Sequence, residues 1–329
     1  MAFSVSNTPI TRRESLTIAW GGLCAYAGLS LFGCAPEQHA SSTSASQASA
    51  PAQNVTLDKE KYDALIKKMD VFDDARIQAS AWASAVKKAG VLRIGGVKTS
   101  ILFSMFDEAD SHLRGFDAGL SQLLTRAILG DESKIDLVQV TSNTRESVLQ
   151  NAQVDAVFAT YSITDARKKV ISFAGPYYST QQGILVTADN SSVQGLSSLD
   201  GKNVAAQSGS TGPSILAELA PGAHVQEFAT DEEARGALSQ GRVDAYVIDE
   251  TMLRGAIVRN PGKYKLVGES FGPKDVYGIG LSKDSDGVAF INAFLKDIED
   301  KGLWQELWKI CIGDRTDANQ APEPPALSA

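Results

Sequence analysis

Four polar groups stand directly after apolar, strand-like runs, and their types suit one kind of small molecule. Arg167, at the end of Ser162-Ile163-Thr164-Asp165-Ala166-Arg167, carries a planar guanidinium that can grip a carboxylate through two parallel hydrogen bonds. Asp249, after Ala245-Tyr246-Val247-Ile248, offers a full negative charge to an ammonium, with the hydroxyls of Thr160 and Ser162 as further acceptors. Ser208-Gly209-Ser210-Thr211-Gly212-Pro213 follows Val204-Ala205-Ala206, and Lys98 follows the strand 91–97. In that turn Thr211 or Gly212 reads as an N-cap with Pro213 as the first helical residue, so free backbone N–H groups face an anion. A carboxylate on Arg167 and an ammonium on Asp249 make up the headgroup of an amino acid. Taken singly, each group has an ordinary explanation. Arg167 fits a solvated turn arginine, Asp249 an N-cap for a helix over 250–259, and the turn lacks the Gly-Lys-Thr ending of a phosphate loop. Position makes them a set, because open α/β sheets bind ligands beyond the carboxyl ends of their strands.

The elements that must position them follow from periodicity. Asp58 to Lys88 reads as helix, with Leu65, Ile66 and Met69 on one face. From Val91 onward short apolar strands alternate with amphipathic helices, the α/β pattern. Strands are expected at 91–94, 137–140, 156–159, 184–186, 204–206, 245–248 and 277–281. Helices are expected at 116–129, 145–150, 250–259, 287–301 and 303–312. Leu149 to Phe158 is echoed by Leu238 to Val247, each a helix end, a tight turn and a strand opening on Val-Asp-Ala. Two lobes of similar topology account for the echo. The polar break 189–192 is the expected crossing to the second lobe, and the strand after Phe271-Gly272-Pro273 the return.

Composition bounds the rest. The chain has 329 residues, 43% apolar and 21% charged, which is enough for two domains with real cores. A net charge of −8 argues against nucleic acid, whose phosphates need a basic face. Three cysteines are too few for a disulfide framework or a cysteine-built metal site, and three scattered histidines offer no zinc site, so no metal or cofactor is expected. Cys311 falls in an apolar helix with Leu303, Leu307 and Ile310 and reads as a packed thiol.

The front end carries an address. Thr11-Arg12-Arg13-Glu14 precedes an apolar stretch, Leu16 to Gly33, in the order of a signal peptide. Its ending, Leu31-Phe32-Gly33-Cys34, resembles the lipobox of bacterial lipoproteins, in which the cysteine carries lipid and becomes the first residue. The alternative is a membrane anchor over the same stretch. Arg12-Arg13 resembles the export signal for folded proteins, with Ser15 in place of the usual apolar residue. Ala35 to Gln53, rich in Ser, Ala and Gln, reads as a flexible tether.

Several motifs together resemble the amino-acid-binding proteins of ABC importers, solute-binding family 3. They are Gly90-Val91-Leu92-Arg93-Ile94-Gly95, Gly115-Phe116-Asp117, Val154-Asp155-Ala156-Val157, Ser162 to Arg167, Phe173 to Tyr178, Leu199-Asp200-Gly201-Lys202 and Ser208 to Thr211. They occur in the family's order over about residues 85 to 313. Gln150 to Arg167 and Tyr277-Gly278-Ile279-Gly280 are most similar to glutamate- and aspartate-binding members. The resemblance implies an α/β, two-lobed periplasmic-binding-protein fold (type II) with two crossover hinge strands and a ligand cleft between the lobes, closing by hinge motion. It divides the chain into a signal peptide (1–33), a tether (34–54), a helical extension (55–85), lobe 1 (86–187 and 276–313), lobe 2 (188–275) and a disordered tail (314–329). It places the ligand's carboxylate on Arg167 with Ser210 and Thr211, and the ammonium on Asp249 with Thr160 and Ser162. It adds Tyr277 to the site and leaves the side chain of an acidic amino acid to Lys98 and Arg145. The alternative for those two is a surface lysine and an Arg145 paired with Glu146 or Asp131. Ile101 stands where many members carry an aromatic lid.

These expectations describe a monomeric binding protein, lipid-anchored outside the cytoplasm, that hands glutamate or aspartate to a separate permease with its ATPase subunits. Glutamine or asparagine is the alternative ligand. A ligand-sensing module and a dehydratase-type enzyme on the same fold are the competing functions; the second needs a free general acid in the cleft, and Asp249 is already assigned to the ammonium.

Overall fold

The computed structural model describes residues 56–318 and 322–327. The signal peptide, Cys34 and the tether lie outside the described residues. The described chain opens with α1 (Lys59–Ile66), α2 (Asp74–Gln78) and α3 (Ala81–Ala89). The single helix expected over 58–88 is broken because three N-caps compete for it. Asp58, Asp73 and Ser80 each accept the backbone N–H three residues on, from Lys61, Arg76 and Ala83.

In the first lobe β1 (Leu92–Gly96) is followed by β2 (Thr99–Ser100), β3 (Ser104–Asp107) and β4 (His112–Arg114), which form a small sheet of their own. Then come α4 (Phe116–Leu129), β5 (Ile135–Gln139), α5 (Arg145–Gln150), β6 (Ala156–Val157) and α6 (Asp165–Lys168). A 17-residue strand, β7 (Ile171–Thr187), carries the chain across. The second lobe holds β8 (Asn203–Gln207), α7 (Gly212–Leu219), β9 (His224–Phe228), α8 (Asp231–Ser239), β10 (Ala245–Asp249), α9 (Glu250–Arg259) and β11 (Tyr264–Leu266). The return is β12 (Phe271–Ser282), and α10 (Gly287–Asp300), α11 (Leu303–Cys311) and a 3-10 turn at Gly313–Arg315 complete the first lobe.

The main sheet runs β5-β1-β6-β12-β7-β10-β8-β9, with β11 against β7. It is two parallel triplets, β5-β1-β6 and β10-β8-β9, joined by the antiparallel pair β12–β7. The crossing therefore lies inside β7. Residues 171–180 pair with β12 beside the first triplet, while Gln182 to Leu185 pair with β10. The polar break at 189–192 comes after the crossing, because no turn interrupts the chain between Ile171 and Thr187.

The sequence echo is a structural one. In the first copy the Asp155 N–H donates to Arg93 O at 2.8 Å, and its carboxylate accepts the Arg93 N–H at 2.9 Å. In the second, the Asp244 N–H donates to Asn203 O at 2.8 Å and its carboxylate accepts the Asn203 N–H at 2.8 Å. Each aspartate thus locks the start of an inner strand to the middle strand of its triplet. Helices cover both faces of each triplet, so each lobe has two apolar layers. The largest joins Phe116, Leu120 and Leu124 of α4 to Trp304 and Leu307 of α11 and to Tyr62 and Leu65 of α1.

Gly115, before α4, has φ 143°, and a Cβ there would sit 2.3 Å from the Phe103 carbonyl carbon. Gly115→Ala should destabilise the protein by about 2 kcal/mol or more. Urea unfolding should show this as a lower midpoint at unchanged slope.

Candidate functional site

Arg167, Ser162, Asp249, Tyr277 and Thr211 come together beside the β7–β12 pair as one network of polar contacts. Asp249 ends β10 and begins α9, yet its side chain makes no helix-cap bond. Instead its Oδ1 accepts from Gln182 Nε2 at 2.6 Å, and its Oδ2 accepts from the Tyr277 hydroxyl. Arg167 is 9% exposed, against the solvated reading. Its Nη1 donates to Ser162 O and its Nη2 to Gly209 O, each at 2.8 Å, and its Nε lies 3.4 Å from Glu146 Oε1. Ser162 and Tyr277 form an antiparallel bridge. Thr211, at the N-cap of α7, donates to Asp275 Oδ2 at 3.2 Å, while the Ser210 hydroxyl donates to Gln207 O at 2.7 Å.

The two lobes touch directly here. Besides Arg167 on Gly209, Asn143 Nδ2 donates to Ser208 Oγ at 3.1 Å. Gly209 has φ 73°, and a Cβ on it would meet Asn143 Oδ1 at 2.2 Å, so only glycine fits this approach.

Arg145 and Thr160 belong to a neighbouring cavity of about 60 Å³ between the lobes, with Thr99, Gln139, Gln207 and Met252 also in its wall. Arg145 is 4% exposed and is paired neither with Glu146 nor with Asp131. Its Nη1 donates to Ala159 O at 2.8 Å and Thr160 O at 3.2 Å, its guanidinium lies 4.2 Å from the Tyr161 ring centre, and its Nε has no partner. Burial and the Arg167 charge bring its pKa down to about 10. Thr160 has φ 43°, a costly conformation for a β-branched residue. It is pinned at both ends, its N–H on Asp117 Oδ2 at 2.8 Å and its carbonyl on Arg145.

Two residues of the first-lobe hairpin depart from expectation. Lys98 is exposed and outside the cavity wall, its Nζ 5.4 Å from the Phe106 ring centre. Val97, Thr99 and Ser100 line the cavity, whereas Lys98, at the bend between β1 and β2, does not. Ile101 lines a different cavity of about 650 Å³, with Leu57, Met105, Val258 and Arg315.

Three buried polar residues escaped the sequence reading. Asp275 follows Gly272-Pro273-Lys274 and reads as turn. Gln182 is a polar break inside an apolar strand, and that break was the available signal. Asp117 is quoted above only within a motif; its Oδ1 accepts the Tyr177 hydroxyl at 2.7 Å. Burial pushes Asp117 up to about 6 and Asp249, with the Asp275 charge beside it, up to about 7. Asp275 is raised as well, again by burial.

Comparison with known proteins places these features. Residues 92–313 match the family described as bacterial extracellular solute-binding proteins, family 3. The chain is 37% identical over 217 residues to the ABC transporter glutamine-binding protein GlnH of Bacillus subtilis, covering 65% of this chain and 78% of that one. It is 33% identical over 230 residues to the glutamate-binding protein GluB of Corynebacterium efficiens, covering 67% and 78%. Among solved structures, the L-cysteine solute receptor of Neisseria gonorrhoeae superposes with a TM-score of 0.69 at 22% identity, covering 75% of this chain and 99% of that one. An ancestral arginine-binding protein bound to glutamine gives 0.61 at 31% identity, covering 68% and 98%. The fold is thus the two-lobed type II binding-protein fold.

The raised carboxyls reverse the usual acid behaviour. Between pH 8 and pH 5 the native ligand-free protein takes up protons on Asp249 near 7 and Asp117 near 6 that the unfolded chain, with ordinary carboxyls near 4, does not. Stability therefore rises as pH falls through this window. The Tm of the ligand-free protein should climb from pH 8 to pH 5.5, roughly 2–4 °C for each kcal/mol regained. Asp117→Asn and Asp249→Asn should each flatten the rise, as read by scanning calorimetry.

Proposed function

The chain belongs to the bacterial extracellular solute-binding proteins, family 3, and on that premise we propose that it captures an acidic amino acid, glutamate or aspartate, for an ABC importer. It is an extracytoplasmic amino-acid-binding protein of such a transporter. Among the described residues no helix is long and apolar enough to cross a membrane. The finer reading assigns the ligand's α-carboxylate to Arg167 with Ser210 and Thr211. It assigns the α-ammonium to Asp249, held by Tyr277, with Thr160 and Ser162 as further acceptors. Arg145 takes the side-chain carboxylate.

One observation carries the acidic preference. Arg145 lines the cavity, buried, without a carboxylate partner and with an unpartnered Nε. A desolvated guanidinium in that condition is stabilised by an incoming anion. Lys98, given the same task in the sequence, lies outside the wall and drops out of the assignment. Its absence, and the two carbonyls already on Arg145 Nη1, favour a second reading in which the ligand is glutamine, the amino acid named for the 37% identical Bacillus relative. The anchor completes the proposal: lipid on Cys34 holds the monomer at the membrane beside its permease and ATPase subunits.

Calorimetric titration, after unfolding and refolding to strip bound ligand, separates these readings. Glutamate or aspartate should bind near micromolar, about −8 kcal/mol. Arg167→Ala should weaken binding by about 2–5 kcal/mol. Arg145→Gln should shift preference toward glutamine by at least about tenfold, near 1.4 kcal/mol. Glutamine binding with glutamate silent would establish the second reading. Silence toward every amino acid would leave the sensor and enzyme functions. For the anchor, Cys34→Ala should move the protein from the membrane fraction to the soluble one after cell fractionation.

A further inference from the structure

Asp275 is a buried carboxylate of the cleft to which the ligand assignments above give no task. It stands on β12, 8% exposed, where the register with β7 slips between Phe271 and Asp275. Its Oδ2 accepts the Thr211 hydroxyl of the second lobe at 3.2 Å, and Ser162 of the first lobe and the Val276 N–H favour its charged form. Gln182 Nε2 lies 3.5 Å from that same Thr211 hydroxyl and donates to Asp249 at 2.6 Å. A chain of polar contacts, Asp275–Thr211–Gln182–Asp249–Tyr277, thus crosses the strand pair and joins two buried carboxylates.

The charges around the pair do not balance. Arg167 of α6 faces Asp275, and Arg145 of α5 faces Asp249. Glu146 of α5 sits 3.4 Å from Arg167 and offsets part of its charge. The phenols facing Asp249, Tyr246 on β10 and Tyr277 on β12, are pushed further up by burial and stay protonated. Asp117 of α4 also faces Arg145, so four carboxylates meet two guanidiniums, and the buried excess of negative charge must be met by protons or by a cation.

We propose that Asp275 is a second ligand-positioning carboxylate, paired with Asp249, and that the ligand's ammonium enters this pair in exchange for a proton. The inference rests on the reading above that puts the ammonium at Asp249. The step balances: the ammonium arrives with its charge, one proton leaves the carboxyl pair for the buffer, and no bond to carbon changes. Asp249 near 7, raised by burial and then by its neighbour's charge, is consistent with a proton held in the free protein at neutral pH. Because a proton leaves on binding, affinity rises with pH. Below the pair's midpoint Kd should worsen by up to about tenfold for each pH unit. Asp275 holds the Thr211 hydroxyl of the second lobe and stands on the strand that Ser162 of the first lobe bridges, so the charge exchange takes place where the two lobes meet.

The test is titration of the full chain with glutamate and with glutamine, from pH 5.5 to 8.5, in phosphate and in Tris, whose ionisation heats differ. The wild type should release a proton near pH 7, read as a buffer-dependent heat, with Kd improving as pH rises. Asp275→Asn removes the like charge, so Asp249 ionises at lower pH. Release at pH 7 should shrink and the Kd midpoint should move to lower pH. Asp275→Ser serves if the amide variant does not fold, and the wild-type buffer comparison needs no variant at all. Amino-acid binding with no buffer-dependent heat, or with a midpoint that ignores Asp275→Asn, overturns this inference and leaves the binding reading standing. No amino acid bound at any pH overturns both.

Discussion

The antiparallel pairing of β7 with β12 is the constraint on which the cleft depends. Gln182 is fixed by it on one strand, and Asp275 and Tyr277 on the other. Asp249 is registered to it, paired with Gln182 through β10, and Ser162 through its bridge to Tyr277. Side chains on a strand alternate faces, so a slip of one residue would carry Gln182 and Tyr277 away from Asp249 together. The two register shifts in β12 lie on either side of Asp275 and Tyr277. Between the shifts the pairing is regular, so alternation puts Asp275 and Tyr277 on one face with Val276 on the other.

That precision is obtained against an electrostatic cost. Asp117, Asp249, Asp275, Arg145 and Arg167 are all buried within the same part of the fold. Their mutual contacts satisfy most hydrogen-bonding groups, but Arg145 Nε and Gln182 Oε1 have no partner. A wholly structural network of this size would be expected to close its own hydrogen bonds. Arg145 stands in the wall of the cavity between the lobes, and the apolar layers on both sides of each triplet hold it there.

Much of the architecture was legible in the sequence because it follows from period alone. Helices over 116–129, 145–150 and 250–259 appear with the expected bounds. The Val-Asp-Ala echo marks a real device, an aspartate tying inner strand to middle strand in each lobe. What was not legible depends on contacts between residues far apart. Nothing near Asp275 in the chain says that Thr211 will meet it, and a proline-containing approach disguises the strand. The crossing was misplaced for a related reason: polar residues at 189–192 look like a boundary, whereas the real one is an unbroken strand. Lys98 has the expected charge, but the bend between β1 and β2 leaves it exposed, outside the wall that Val97, Thr99 and Ser100 line.

The N-terminal helices have a mechanical meaning. α1 lies on α4 and α11, and α3 on α4 and α10. Tyr62 donates to Gly115 O at 3.1 Å, and Lys68 pairs with Glu306 at 2.7 Å. A load applied at the front of the described chain is therefore delivered to the helical layer of the first lobe. It reaches the second lobe along the ribbon of β7 and β12 and through the direct contacts of Arg167 with Gly209 and Asn143 with Ser208. The bare face of Gly255 on α9 meets Leu102 of the hairpin, where an added Cβ would approach it to 3.3 Å. Helix on hairpin at that glycine is a further direct contact between the lobes, close enough that a side chain of any size would press on it.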